Sequence, residues 1–383
     1  KGYCVTNASD PDFQCNGKVI AARYFFDPGL LSGGTVLNPQ EVMSPLDIGG
    51  HGSHTAGGAA GNKVISATHQ NAEISGVAPA AYLLVYKSLF EIIRADGSTN
   101  GSGTDVMLSA GMEAAVADGA DVINNSWGGG AGNNPHDSFY DTLIPAINEA
   151  GVVVVFSAGN SGPDANSIEC PSCTEAAITV GASTNSRRYS PVISVLGPGT
   201  VTAELQNIEI NPAGPVVTTT ISGALADVGE VATNTTLASK DLACSTNPPT
   251  AGSLTGKIAI IRRGACDFTQ KINNVAAAGA VAAIIYNDVT SPEVNIFINI
   301  AADGTTIPSA NMRNRDAVAL LNWIHAQGAA PTPGEYSADW VKFDTDPYIL
   351  ANFSSIGPNG DPNILKPDIV APGVDILSAY SPA

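Results

Sequence analysis

The chain has 383 residues, 44% of them apolar, enough for two domains that each bury a sizeable core. It carries 17 basic against 35 acidic residues, a net charge of −18, which disfavours nucleic acid and anionic membranes as partners because both would be repelled. The longest nearly unbroken apolar run, 276–286, is far shorter than the roughly 20 residues that span a bilayer, so no transmembrane segment is expected. The sequence opens at Lys1 with neither an initiator Met nor a signal-like stretch, so any targeting segment is expected upstream.

Six cysteines fall into three couples by sequence distance: Cys4 with Cys15, Cys170 with Cys173, and Cys244 with Cys266. An even count without zinc-type spacing favours disulfides and an oxidising, extracellular compartment, although six cysteines allow 15 pairings. Cys170-Pro-Ser-Cys173 also has the spacing of a redox motif. Without a thioredoxin-like context it reads as a structural clip.

Along the chain, the first segment with chemical character is Gly50-His51-Gly52-Ser53-His54-Thr55-Ala56-Gly57. A histidine is the commonest general base near neutral pH, and the flanking glycines allow close approach of a substrate or another backbone. The small residues 56–61 could pack as a tight buried helix. Two histidines three apart also raise metal ligation, but no acidic third ligand completes a zinc pattern, so no metal is assigned here.

Strand 82–86, helix 104–118, strand 122–126, helix 138–150 and strand 152–157 then alternate. Thr104-Asp105 suits a helix start and Gly151 a helix end. Alternation of this kind predicts a parallel sheet of right-handed β-α-β units, with ligand chemistry at the carboxyl ends of its strands. Two Gly-rich segments sit at such ends. One is Asn124-Asn125-Ser126-Trp127-Gly128-Gly129-Gly130, whose edge could pair with an extended peptide; the other is Ser157-Ala158-Gly159-Asn160-Ser161-Gly162, whose Asn160 amide could donate to an oxyanion. Each could equally be an ordinary loop, Asn160 being a residue that tolerates left-handed turns.

Beyond about residue 190 the chain becomes Thr-, Val- and Pro-rich with β alternation. Strand 257–261, helix 268–278, strand 281–286 and helix 315–326 follow, and Pro331-Thr-Pro-Gly334 closes the region. These boundaries predict a discontinuous first domain, 1–194 and 343–383, interrupted by an inserted domain at 195–342.

Taken in order, the motifs resemble the subtilisin-like serine proteases, or subtilases. His51-Gly-Ser-His-Thr-Ala-Gly57 is similar to that family's histidine motif, Ser126-Trp-Gly-Gly129 to its substrate-binding segment and Ser157-Ala-Gly-Asn160 to its oxyanion segment. Ala351-Asn-Phe-Ser-Ser-Ile-Gly-Pro358 and Leu365-Lys-Pro-Asp-Ile-Val-Ala-Pro-Gly373 are similar to the stretch preceding its serine. The resemblance implies a subtilisin-like parallel sheet flanked by helices, an α/β fold, with His51 as catalytic base and Asn160 as oxyanion donor. It assigns substrate binding to Ser126, Trp127, Gly128, Gly129, Ser157, Ala158 and Gly159. It also implies a secreted, monomeric endopeptidase acting on proteins or peptides. No cofactor is required for its chemistry, and structural calcium, common in the family, cannot be placed.

The inserted region resembles a protease-associated domain, on Thr255-Gly-Lys-Ile-Ala-Ile-Ile-Arg-Arg-Gly264, Cys266-Asp-Phe268, Lys271 and Ala277-Ala-Gly-Ala280. Such a domain is β-rich α/β. In this family the triad runs Asp, His, Ser along the chain. Asp27-Pro-Gly29 lacks the Ser or Thr of the aspartate motif, and Asp47 reads as a loop or helix-start residue. The Gly-Thr-Ser of the nucleophile occurs nowhere, and neither Ser378 nor Ser381 follows a Gly-Thr pair. The chain is therefore expected to hold only part of the triad and to be inactive alone.

Overall fold

In the structure, a computed structural model, residues 2, 4, 13–94, 99–288, 297, 300, 302 and 304–380 are described. The elements that build it run β1 (Val19–Tyr24), α1 (His51–Ala60), β2 (Leu83–Lys87), α2 (Asp105–Asp118), β3 (Val122–Asn125), α3 (Tyr140–Glu149), β4 (Val153–Ser157) and β5 (Ile178–Ser183). After them come β6 (Val192–Val195), β7 (Ile208–Glu209), β8 (Asn211–Ala213), β9 (Ile221–Asp227), β10 (Lys257–Arg262), α4 (Phe268–Ala277) and β11 (Ala282–Tyr286). The last are β12 (Ser309–Met312), α5 (Asn314–Ala326), β13 (Thr332–Tyr336) and β14 (Ile369–Pro372). Two compact units divide the chain: one of Lys1–Ile65, Glu73–Arg188 and Asp344–Ala383, the other of Ser66–Ala72 and Tyr189–Phe343.

In the first unit, α2 forms where Thr104 caps its start, accepting from the Met107 N–H, and it ends at Gly119, whose φ of +85° is one a glycine adopts without strain. Met107, Leu108, Met112 and Ala115 line its buried face. With Ile123, Tyr140, Ile144, Val154 and Phe156, three of these residues (Leu108, Met112 and Ala115) form one apolar core. α3 begins later than the sequence suggests, because Pro135–Asp137 winds a separate 3-10 turn ahead of it.

Four strands form a parallel sheet in the order β14-β5-β4-β3. The sequence places 82–86 in that same sheet, yet β2 pairs in parallel with β1, and no ladder joins β2 to β3 among the described residues. A crossover helix fixes the direction of the strands it links without making them neighbours. The Leu365–Gly373 motif gives β14 its place: the Lys366 ammonium, almost fully buried, donates to the Ala177 carbonyl (2.6 Å) and the Asp368 carboxylate (2.8 Å). Asp368 in turn accepts from the Thr179 N–H at the start of β5 (2.7 Å).

α1 starts at His51, ahead of the 56–61 run expected to be helical, and it is not the buried helix the sequence suggests. Only Ala60 is buried. Small residues give a helix a surface that permits close packing, but burial requires a neighbour. Here segment 376–380 touches it through His54 and Gly57, and segment 76–78 bonds the carbonyls of Gly58 and Ala59 near its end.

The second unit is one eight-stranded mixed sheet in the order β7-β6-β13-β9-β10-β11-β12-β8, parallel from β9 through β12. The Thr- and Val-rich segments and the small α/β unit thus share a single sheet. Alternate residues of its central strands feed two cores. Ile258, Ile260 and Ile284 pack with Ala317 and Leu320 of α5, while Ala259, Ile261 and Ile285 pack with Ile272 and Val275 of α4. Covering both faces is what turns β10 and β11 into continuous apolar runs. All six cysteines are paired, Cys4–Cys15, Cys170–Cys173 and Cys244–Cys266.

Candidate active site

β3 and β4 lie side by side with Asn125 opposite Phe156, so the two Gly-rich segments that follow them emerge together at the carboxyl edge of the sheet. Trp127 turns its ring into the core, 5.0 Å from Phe156 and 5.8 Å from Tyr140 between centroids. What Ser126, Trp127 and Gly128 present is main chain, and its N–H and C=O groups have no partner among the described residues. Gly129 differs, since its N–H and C=O both bond to Cys170, at 3.0 and 2.9 Å. An extended peptide would find open main chain at 126–128.

On the neighbouring segment Ser157 is exposed and Ala158 buried, with the Ala158 N–H bonded to the Val180 carbonyl. Gly159 adopts φ +107°, and a Cβ there would overlap the carboxyl group of Glu169, so both torsion and space require glycine. Asn160 donates its backbone N–H to Glu169 Oε1 (3.0 Å). Its exposed side-chain amide makes no hydrogen bond among the described residues and is free to donate to a ligand.

His51 is the exposed first residue of α1. The helix start is capped from Asp47, whose Oδ1 accepts from the Gly50 N–H (3.0 Å) and whose Oδ2 accepts from the Ser53 N–H (2.6 Å). Gly50 adopts φ +77°, and a Cβ there would lie 2.5 Å from the Tyr380 ring, so glycine is needed ahead of His51; a Cβ on Gly49 would meet only the carboxylate end of Glu91. Glu91 is held above the usual glutamate range, first by burial and then by Glu41 and Asp47, with Lys87 and His51 opposing. No carboxylate hydrogen-bonds a ring nitrogen of His51 among the described residues.

The other candidates have structural work. His54 Nε2 lies 3.0 Å from the Ile376 carbonyl, and Ser378 Oγ donates to the His54 carbonyl (2.7 Å), which fastens the segment leaving β14 to α1. Ser381 lies outside the described residues. Asp27 caps a 3-10 turn by accepting from the Gly29 N–H and also accepts from the Thr104 hydroxyl, both at 3.0 Å.

A family model described as "Subtilase family" (Peptidase_S8) matches residues 35–382. The chain belongs to the subtilase family. Subtilisin-like protease SBT5.4 of Arabidopsis thaliana is 32% identical over 388 residues, covering 100% of this chain and 46% of that protein. Minor extracellular protease Vpr of Bacillus subtilis is 32% identical over 330 residues, covering 86% of this chain and 35% of its own. The chain thus spans less than half the length of these relatives. Among solved structures, the zinc aminopeptidase BSAP of Bacillus subtilis aligns over 45% of this chain and 33% of its own at 20% identity, with a TM-score of 0.26, too slight to bear on fold or chemistry.

Within this subtilase, Glu169 and Ser355 are residues the sequence reading missed. Ser355 lies in the 351–358 motif. Its N–H donates to the Gly159 carbonyl (3.1 Å) and its Oγ accepts from the Ser161 N–H (3.0 Å), so the motif braces the Asn160 loop. Among the described residues one group has metal-ligand composition, Asp227, Glu230 and His325 in the second unit. His325 Nε2 and Asp227 Oδ2 are 2.9 Å apart and Glu230 faces Lys240 at 3.5 Å, pairs that account for these groups without an ion.

Proposed function

We propose that this chain is the histidine- and oxyanion-bearing part of a secreted serine endopeptidase whose aspartate and serine lie outside these 383 residues. His51 would take the proton of the serine hydroxyl as its oxygen attacks the scissile carbonyl carbon. The imidazolium would then return that proton to the leaving amine, and water would repeat the sequence to release the acyl group. Asn160 would donate its side-chain N–H to the oxyanion, while Ser126, Trp127 and Gly128 would hold the substrate main chain as an added strand. The observation that carries this reading is the pair of Gly-rich segments meeting at adjacent strand ends, with the Asn160 amide unengaged beside open main chain.

Secretion is supported by three disulfides and by the extracellular relative. Protein substrates and a monomeric state belong to the same proposal, as does the reading of the second unit as a protease-associated domain. That unit holds neither His51 nor Asn160, so its role would be substrate access or choice.

A fluorophosphonate, which phosphonylates activated serines with loss of fluoride, tests the proposal. The full-length protein should be labelled at one serine and the 383-residue chain should not. Absence of labelling in the full-length protein would favour a non-catalytic, peptide-binding subtilase homologue.

A further inference from the structure

We infer that Glu169 is a positioning residue for the oxyanion donor, acting through the loop that carries Asn160. Its Oε1 accepts two hydrogen bonds, from the Asn160 N–H (3.0 Å) and from Ser161 Oγ (2.8 Å). Its own N–H donates to the Ala158 carbonyl (3.1 Å). The residue therefore grips the loop on both sides of Gly159, the one position whose left-handed torsion and missing side chain leave it most free to move. The carboxyl group lies directly against Gly159, and its Oε2 is 3.3 Å from where a Cβ on Gly128 would stand, so it also borders the neighbouring segment.

Glu169 is itself firmly held. The next residue, Cys170, exchanges both main-chain bonds with Gly129 and is joined to Cys173, and the Ser172 hydroxyl donates to the Glu169 carbonyl. No Lys or Arg pairs with the half-buried carboxylate among the described residues; its bonds are to neutral donors of the Asn160 loop. An acceptor tied to two donors on consecutive residues fixes the direction of the chain there, and with it the direction of the Asn160 side chain. An oxyanion donor is effective only when preorganised, and a displacement of about 1 Å can cost about 10²-fold in rate.

This inference rests on the assignment of Asn160 as oxyanion donor, and a double-mutant cycle in the full-length protein separates the two. With a short peptide substrate, Glu169→Ala should lower kcat by roughly 10- to 100-fold with KM within about threefold. Glu169→Gln, which keeps a carbonyl oxygen at the same reach, should stay within about fivefold of the parent. In an Asn160→Ala background, Glu169→Ala should cost no more than about twofold further, because no amide remains to be misplaced. In the full-length protein, exchange of the Asn160 backbone N–H should quicken about tenfold or more in Glu169→Ala and not in Glu169→Gln.

If Glu169→Ala does not fold, Glu169→Asp withdraws the acceptor by one methylene and should show the same kcat loss. An unchanged kcat in Glu169→Ala, or a full additional loss in the double variant, overturns the inference while leaving Asn160 in place. An Asn160→Ala variant with unchanged kcat overturns both.

Discussion

The two units bury their sheets differently. In the second unit the central strands are covered on both faces, and Ile258, Ile260, Ala282, Ile284 and Ile285 are all 0% exposed. In the first, β3 and β4 supply Ile123, Val154 and Phe156 to a core on one face, while Val122, Val153, Ile178 and Ile369 remain 58, 43, 39 and 54% exposed. The residues proposed for the chemistry, His51 and Asn160, belong to the unit whose sheet is less covered. It also carries specific polar anchors: the Lys366–Asp368 pair, the Asp47 cap and the His54 link to the segment after β14. A well-buried sheet tolerates change at its surface, whereas a unit held by anchors is sensitive to single polar substitutions that leave a partner unsatisfied.

The largest contrast lies within the first unit. If His51 is the base, then in the full-length protein His51→Ala should lower kcat by roughly 10⁶-fold, the scale found when the base of subtilisin, a member of this family, is removed, with little change in melting temperature. His54→Ala should do the reverse, lowering the melting temperature and sparing most of the turnover, because its ring bonds the Ile376 carbonyl. Equal losses of turnover in both variants at unchanged melting temperature would reassign the base.

Disulfide removal separates the units next. Replacing Cys244 and Cys266 by serine opens a 22-residue separation in the second unit and should cost about 3 kcal/mol there, read by denaturant unfolding, with short-peptide turnover retained. Replacing Cys170 and Cys173 releases far less chain entropy but loosens the partner of Gly129. Turnover should fall more than stability. The opposite ranking would place the functional clip in the second unit.

The smallest effects are in pH dependence, and the two units should differ in sign. Glu91, held above the usual glutamate range, keeps a proton in the folded state that the unfolded chain has released. The first unit therefore loses stability as pH rises through that range, and Glu91→Gln should raise its melting temperature at neutral pH but not below about pH 4. Buried Lys271, with its ammonium pulled down to about 8 by burial and the Arg262 charge, loses its proton earlier in the folded state than in the unfolded. The second unit should gain stability between that pH and the ordinary lysine range near about 10. Melting curves across pH on the parent and the two single variants, Glu91→Gln and Lys271→Met, check both signs.

Much of this was legible in the sequence because it is encoded locally. Thr104 and Gly119 bracket α2, Gly151 stops α3, and the cysteine couples are close in sequence. The segments around His51, Ser126 and Asn160 announce themselves by composition and order. What escaped depends on contacts between distant residues. Glu169 carries no motif, and its role follows only from the fold returning it beneath residues 8 and 9 positions earlier. The small residues of α1 state a capacity for close packing, and only the structure shows which of them a neighbour covers. Strand spacing gave direction for β2 and β3 but not adjacency, because a crossover helix allows either.

The central claim is that Asn160 acts on charge that develops in the reaction and not on binding. Steady-state kinetics of Asn160→Ala in the full-length protein, on one short peptide and beside a melting curve, tests it most directly. The account predicts a fall in kcat of roughly 10²–10³, a magnitude taken from subtilisin, with KM nearly unchanged and the melting temperature retained. A change in KM larger than the change in kcat, accompanied by a lower melting temperature, would show instead that Asn160 only shapes its turn.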